Sequence, residues 1–271
     1  MRPERIALLG GGHMGRALIG GLLRRGTRAE HIAVGEASET ARIALSRDFG
    51  VAASQDNATA VAAATLVVVA VKPQDVGAVL TPLAATLQRN CAIVLSVAAG
   101  IRTAALQQWC GPTVSVVRAM PNRPALVGAG ATALYAGAAL EEDRRQRAAQ
   151  IMSAVGDIVW VSDEDALDVV TALSGSGPAY FFLLTEAMIQ AAVDLGLPQD
   201  AARQLAVGTL HGAGLLARES AGGDITRLRS EVTSKGGTTE AALRVLAAGN
   251  FQQLIARAVG AAAQRSRELG Q

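Results

Sequence analysis

"IALLGGGHMG", residues Ile6–Gly15, is a short apolar run followed by Gly10-x-Gly12-x-x-Gly15, with an amphipathic stretch from His13 to Arg25 behind it. The run predicts a strand and the helical spacing predicts a helix, which places the glycines at a strand-to-helix turn. In that context the pattern predicts dinucleotide binding. The glycines allow a tight turn and close backbone approach, and the helix amino terminus receives the pyrophosphate. The candidate contacts are Gly10, Gly11, Gly12, His13, Met14 and Gly15.

The same alternation continues outward. Ile32–Val34, Leu66–Val71, Ala92–Leu95, Val114–Val117 and Ile158–Val161 are short and apolar, while Ala37–Phe49 and Glu141–Val155 carry helical spacing. Such alternation predicts an α/β domain over residues 1–161, a Rossmann-type, doubly wound and mostly parallel sheet. From Ser162 the strand-like runs stop and alanine and leucine dominate, so residues 162–271 are expected to form an all-α domain. Gly177-Pro178 opens a helix ending near Gly196, and Pro198 opens the next. Gly208, Gly212 and Gly214 fall inside that second helix, where each costs roughly 1 kcal/mol relative to alanine. Close packing, against a second copy of the chain or within one copy, is the expected compensation.

Composition narrows the function. The formal charge is +2 and aromatic residues make up 3% of the 271, so a basic stripe with stacking platforms for nucleic acid is not expected. Cys91 and Cys110 form no C-x-x-C pair, which fits buried thiols in a reducing, cytoplasmic setting. The apolar run Val61–Val71 is about half a membrane span, so no membrane role is expected. His13, His31 and His211 are scattered and no metal-ligand spacing occurs, so no metal is expected. Glu141-Glu142-Asp143 and Asp163-Glu164-Asp165 read as acids at helix starts. Ser174-Gly175-Ser176-Gly177 lacks the strand-to-helix setting of a nucleophile elbow.

Two residues refine the cofactor. Glu36 ends the second strand, where a carboxylate accepts from the adenosine ribose hydroxyls, and Ala37 offers no partner to a 2′-phosphate. NADH is therefore expected to be preferred over NADPH, with Arg42 leaving NADPH open. Lys72 follows the run Leu66–Val71 and precedes Pro73 at the carboxyl edge of the sheet, a place for cofactor contact.

A second glycine-rich turn lies far downstream in "TSKGGTTEAALRVL", Thr233–Leu246. Together with "VKPQ" at Val71–Gln74, "SVAAG" at Ser96–Gly100, "RAMPN" at Arg118–Asn122 and "LSGSGPAY" at Leu173–Tyr180, this stretch resembles pyrroline-5-carboxylate reductase, in order and over essentially the whole chain. The resemblance implies reduction of Δ1-pyrroline-5-carboxylate to L-proline with NADH or NADPH, on a Rossmann domain followed by a helical domain that makes a homodimer, with an oligomer of dimers open. It implies that the glycine loop with Asn57, Ala70, Val71, Lys72, Pro73, Ala98, Met120 and Asn122 lines the cofactor. It further implies that Ser234, Gly236, Gly237, Thr238 and Thr239 hold the carboxylate of a cyclic imino acid, Ser234 and Thr239 acting in catalysis, on a turn drawn from the partner chain. Gly237 and Thr238 are the expected amide donors. Lys235 stands where the family usually has proline, and Arg123 where it usually has threonine. Three readings of these cations stay open: tighter carboxylate binding, a bulkier or more anionic imine, or side chains turned to solvent.

A β-hydroxyacid dehydrogenase is the alternative enzyme. Setting Gly175 and Gly177 on that family's glycines puts Phe181 at its catalytic lysine and Thr185 at its asparagine. Alcohol oxidation needs a base, whereas a protonated imine that accepts hydride does not. A non-catalytic nucleotide-binding sensor is the third reading.

Overall fold

Leu66–Val69 is buried on both faces, as a central parallel strand must be when helices cover both sides of its sheet. The computed structural model describes residues 4–220 and 223–270. Eight strands form one sheet in the order β3-β2-β1-β4-β5-β6-β7-β8. They are β1 Ile6–Leu9, β2 Ile32–Gly35, β3 Ala52–Ser54, β4 Leu66–Val69, β5 Ile93–Ser96, β6 Ser115–Met120, β7 Gly130–Tyr135 and β8 Gly156–Trp160. The first six keep the dinucleotide-fold order, and β1 pairs with both β2 and β4, so the strand order reverses there. Pairing is parallel except between β6 and β7.

Alternate side chains sort into two cores. Ile6 and Leu8 enter one with Leu18, Val34 and Val117, while Ala7 and Leu9 enter the other with Val67, Val94 and Leu106. The helices of this region are α1 His13–Arg24, α2 Glu39–Phe49, α3 Asn57–Val61, α4 Val76–Leu80, α5 Ala84–Arg89, α6 Thr103–Cys110, α7 Glu142–Ser153 and α8 Ala166–Val170. The remainder are α9 Gly177–Asp194, α10 Gln199–Glu219, α11 Ile225–Glu231, α12 Thr238–Ala248 and α13 Phe251–Leu269.

Strands β3 and β7 were not expected. β3 is three small residues, and β7 begins on glycine and alternates through alanine and threonine, so neither has the apolar contrast of a predicted strand. The backbone divides into two compact units. One extends to Gly175 and takes in the chain from Ala262, and the other is Ser176–Ala261. Cys110 is buried and desolvation pushes its thiol up to about 12, whereas Cys91 is exposed, contrary to the expectation of two buried thiols. In the helical unit, α9 and α10 pack together. By length and composition the stretch Ala166–Asp194 could cross a membrane, an 18-residue window within it having a mean hydropathy of 1.3, and it lies outside the run Val61–Val71. Phe181, Phe182 and Leu183 on α9 are exposed, as are Leu205 and Leu216 on α10.

Candidate active site

The first glycine loop is shaped by backbone contacts that leave no room for side chains. Gly10 has φ of +104°, and a Cβ there would stand 2.7 Å from the Ala70 oxygen and 3.0 Å from the Val71 nitrogen. The loop thus abuts the end of β4, and Ala70 and Val71 form its wall. A Cβ on Gly15 would overlap the Gly10 oxygen. Gly12 faces open space, and as the N-cap of α1 it receives no side-chain cap. The first amides of α1 accordingly point at an open, partly positive helix end, a cradle that fits a pyrophosphate.

Glu36 holds this loop from the β2 side. Its carboxylate accepts the Gly11 amide at 2.7 Å and the Ser38 amide at 2.9 Å. Two bonded oxygens still have lone pairs for ribose hydroxyls. Arg42 donates to the backbone carbonyls of Glu36 and Ala37 at 2.9 and 2.6 Å, which holds its guanidinium at the end of β2. Asn57 opens α3 behind its Asp56 cap, and its Oδ1 lies so close to Gly35 that a Cβ there would overlap it. Lys72 is exposed and starts the short 3-10 turn Pro73–Asp75.

Past β5 and β6 the loop continues into a cleft of about 300 Å³. His13, Met14, Met120, Asn122 and Arg123 line it, as do Val97, Ala99, Pro121, Leu126 and Gly175. Of the open readings of Arg123, this placement joins its position to the glycine loop. The motifs Ser96–Gly100 and Leu173–Tyr180 contained Val97, Ala99 and Gly175, but nothing in spacing told that they share a wall. Ala98 is buried just behind, its amide 3.3 Å from the Ser96 hydroxyl. Thr171–Gly175 is a π-helical turn, and it carries the Ser174 carbonyl to within 3.1 Å of the Asn122 amide nitrogen, while Asn122 Oδ1 accepts from Ala131 at 2.9 Å. Asn122 is therefore anchored at both ends of its side chain.

The acids at 163–165, expected as helix-start acids, give α8 no side-chain cap bond, and Glu164 and Asp165 instead bind groups far away in the chain. Glu164 accepts from the Thr103 amide and hydroxyl, both at 2.8 Å, and from the buried Arg118 at 3.1 Å, while Asp165 accepts from Arg102 at 2.7 Å.

In the helical unit, the second glycine turn opens α12. Gly236 has φ of +74° and donates its amide to Glu240 at 2.7 Å; Gly237 donates to the Ser234 carbonyl at 3.0 Å. The Gly237 amide, one of the two expected carboxylate donors, is thus engaged within the turn. Thr238 and Thr239 are the first residues of α12 and their amides have no intrahelical acceptor. The Ser234 hydroxyl lies against Gly237. Glu240, which the sequence reading did not single out, braces the turn one position beyond Thr239. Lys235 is exposed. On α9, Thr185 is buried and donates to the Phe181 carbonyl at 2.7 Å, and Phe181 is exposed; no dehydrogenase lysine–asparagine pair stands at these positions.

Residues 164–269 match the family model for pyrroline-5-carboxylate reductase dimerisation, and residues 5–100 match the model described as NADP oxidoreductase coenzyme F420-dependent. A pyrroline-5-carboxylate reductase of Pseudomonas aeruginosa is 43% identical, covering 100% of this chain and 98% of that protein. A solved structure of the enzyme from Coxiella burnetii is 40% identical with a TM-score of 0.96, covering 100% of each chain. The Plasmodium falciparum pyrroline carboxylate reductase, solved with NADP bound, is 26% identical with a TM-score of 0.84, again covering 100% of each chain.

Proposed function

The chain belongs to the pyrroline-5-carboxylate reductase family, and we propose that its two glycine turns divide the reaction, the first holding the dinucleotide and the second the substrate carboxylate. The reaction is reduction of Δ1-pyrroline-5-carboxylate to L-proline with NAD(P)H. The bound nicotinamide supplies a hydride to the imine carbon. The ring nitrogen enters protonated and leaves as a neutral amine, so no side-chain base is required, which fits a site built from amides and hydroxyls. The observation supporting the division is that α1 and α12 both follow a glycine N-cap without a side-chain cap, so two helix ends offer amides to anions.

In this reading Gly12, His13 and Met14 bind the pyrophosphate, Glu36 the adenosine ribose, and Lys72 and Asn57 border it. Ala98, Met120 and Asn122 border the nicotinamide end, because the cleft lies on the β5–β6 side of the strand reversal. The amides of Thr238 and Thr239, with the Ser234 and Thr239 hydroxyls, hold the carboxylate and orient the imine carbon. Oxidation of NADH and NADPH measured against pyrroline-5-carboxylate and its six-membered analogue tests the reading. Fast oxidation with the five-membered imine is the expected result, and dinucleotide binding without turnover would favour the sensor instead.

NADH is the preferred cofactor in this proposal. Glu36 would repel a 2′-phosphate, although Arg42, bonded to the backbone carbonyls of Glu36 and Ala37, offers that phosphate a partner once the carboxylate is gone. Glu36→Ala should therefore narrow or reverse an NADH preference in kcat/KM. Wild-type enzyme clearly better with NADPH would sink this reading.

The dimerisation family model supports an oligomer acting on a small molecule, and a homodimer through the helical domain, in a cytoplasmic setting, is the specific form proposed. A Cβ at Gly208, Gly212 or Gly214 would meet nothing within 4 Å of its own chain. Their cost on α10 is thus not offset internally, which supports close approach by a second copy. Gly212→Leu should overpack that interface and give smaller or insoluble species by light scattering. An unchanged oligomer with unchanged melting would remove α10 from the interface.

A further inference from the structure

The last turns of α13 belong to the dinucleotide-binding unit, although the helix starts in the other. Ala263 and Ser266 are its buried residues, one turn apart on one face. The Ser266 hydroxyl donates to Asp168 Oδ1 at 2.6 Å, with both side chains buried. Asp168 lies on α8 immediately after the acids that grip Arg102 and Thr103. Only Ile101 separates those two residues from the loop Ser96–Gly100, which carries Ala98.

The chain end also touches that loop directly. Gly100 has φ of +78°, and a Cβ on it would stand 3.3 Å from the Leu269 oxygen, while a Cβ on Gly270 would stand 3.2 Å from the Gly100 oxygen. Two backbones therefore meet closely, at a glycine whose positive φ disfavours a side chain and at a second whose Cβ would be tightly placed. The opposite end of the loop is fixed by β-sheet bonding, with the Val97 amide 3.0 Å from the Val69 carbonyl. The loop is thus held by the sheet at one end and by an assembly of α8 and the chain terminus at the other.

We propose that Ser266, acting through Asp168, is a positioning residue that sets dinucleotide affinity by fixing the Ser96–Gly100 loop. The proposal rests on the reading that Ala98 borders the cofactor. A buried hydrogen bond to a carboxylate is among the stronger ones, and breaking it leaves the carboxylate short of a partner. Ser266→Ala should raise the KM for NADH about tenfold while leaving kcat at saturating NADH, and the KM for the imine, within about twofold. Ser266→Thr keeps the hydroxyl and should restore the wild-type value. A purely structural role would instead lower kcat in proportion to the unfolded fraction and leave both KM values alone.

Asp168→Asn, which keeps the shape and removes the charge, provides the second variant should Ser266→Ala not fold, and Ala98→Leu serves as the control for the loop. Unchanged NADH affinity in both Ser266→Ala and Asp168→Asn, with Ala98→Leu impaired, overturns the proposal and leaves the cofactor assignment standing. Unchanged affinity in Ala98→Leu overturns the assignment itself.

Discussion

Thr239→Val is expected to lower kcat/KM for pyrroline-5-carboxylate roughly tenfold to a hundredfold, with the KM for NADH nearly unaltered. The variant keeps the side-chain shape and deletes the hydroxyl at the second position of α12. A hydrogen bond to a charged group contributes about 1.5–3 kcal/mol, and each 1.36 kcal/mol is about tenfold in rate. The amide donors remain in the variant, so binding weakens without being abolished. Ser234→Ala should show the same pattern, because its hydroxyl lies against Gly237 at the mouth of the turn. Glu240 makes the environment less favourable to an anion than a bare helix start, since its carboxylate sits on the Gly236 amide. Arg244, 3.9 Å from that carboxylate, and the exposed Lys235 offset part of this charge. Every donor at the turn therefore counts. Steady-state kinetics with each substrate varied separately is the check. Variants as active as wild type, or losses lying wholly in NADH binding, would remove the second turn from the substrate site.

Gly10→Ala should be the more damaging change for the cofactor. Its backbone angle is one that alanine adopts at a cost of roughly 1–2 kcal/mol. The larger effect is steric, because the methyl would sit 2.7 Å from a backbone oxygen of Ala70 and the strand end cannot yield as a flexible side chain could. Relief requires the loop to leave β4, and that displaces the Gly11 amide from Glu36 and misdirects the start of α1. Dinucleotide affinity is expected to fall at least tenfold, measured by NADH fluorescence titration, together with a lower melting temperature. Retained affinity would show that the close approach of loop and strand is not what shapes the cradle.

Much of the first unit was legible because its signals are local. Ile6–Leu9 and Gly10–Gly15 carry strand, turn and helix start within ten residues, and the strand lies where the spacing placed it. The helix expected at Gly177-Pro178 and the one after Pro198 are α9 and α10. The short helices α3 to α6 escaped because five to eight residues are too few to display a helical period. β7 escaped because its pairing with β6 and β8, and not its own hydrophobicity, makes it a strand.

The dinucleotide fold, the order of its motifs, the change to helix in the second part and the two glycine turns can all be read along the chain, since each depends on residues near one another in it. Which distant groups share a wall emerges from the folded molecule. Folding sets Glu36 on the Gly11 amide, Asn122 on the Ser174 carbonyl, Glu164 on Thr103 and Ser266 on Asp168, the last pair 98 residues apart. The reason is that hydrogen bonds and close backbone contacts act over a few ångströms in space and leave no periodicity in sequence. A glutamate that reads as a helix-start acid can become a clamp on the start of another helix 61 residues earlier only when the fold brings the two together.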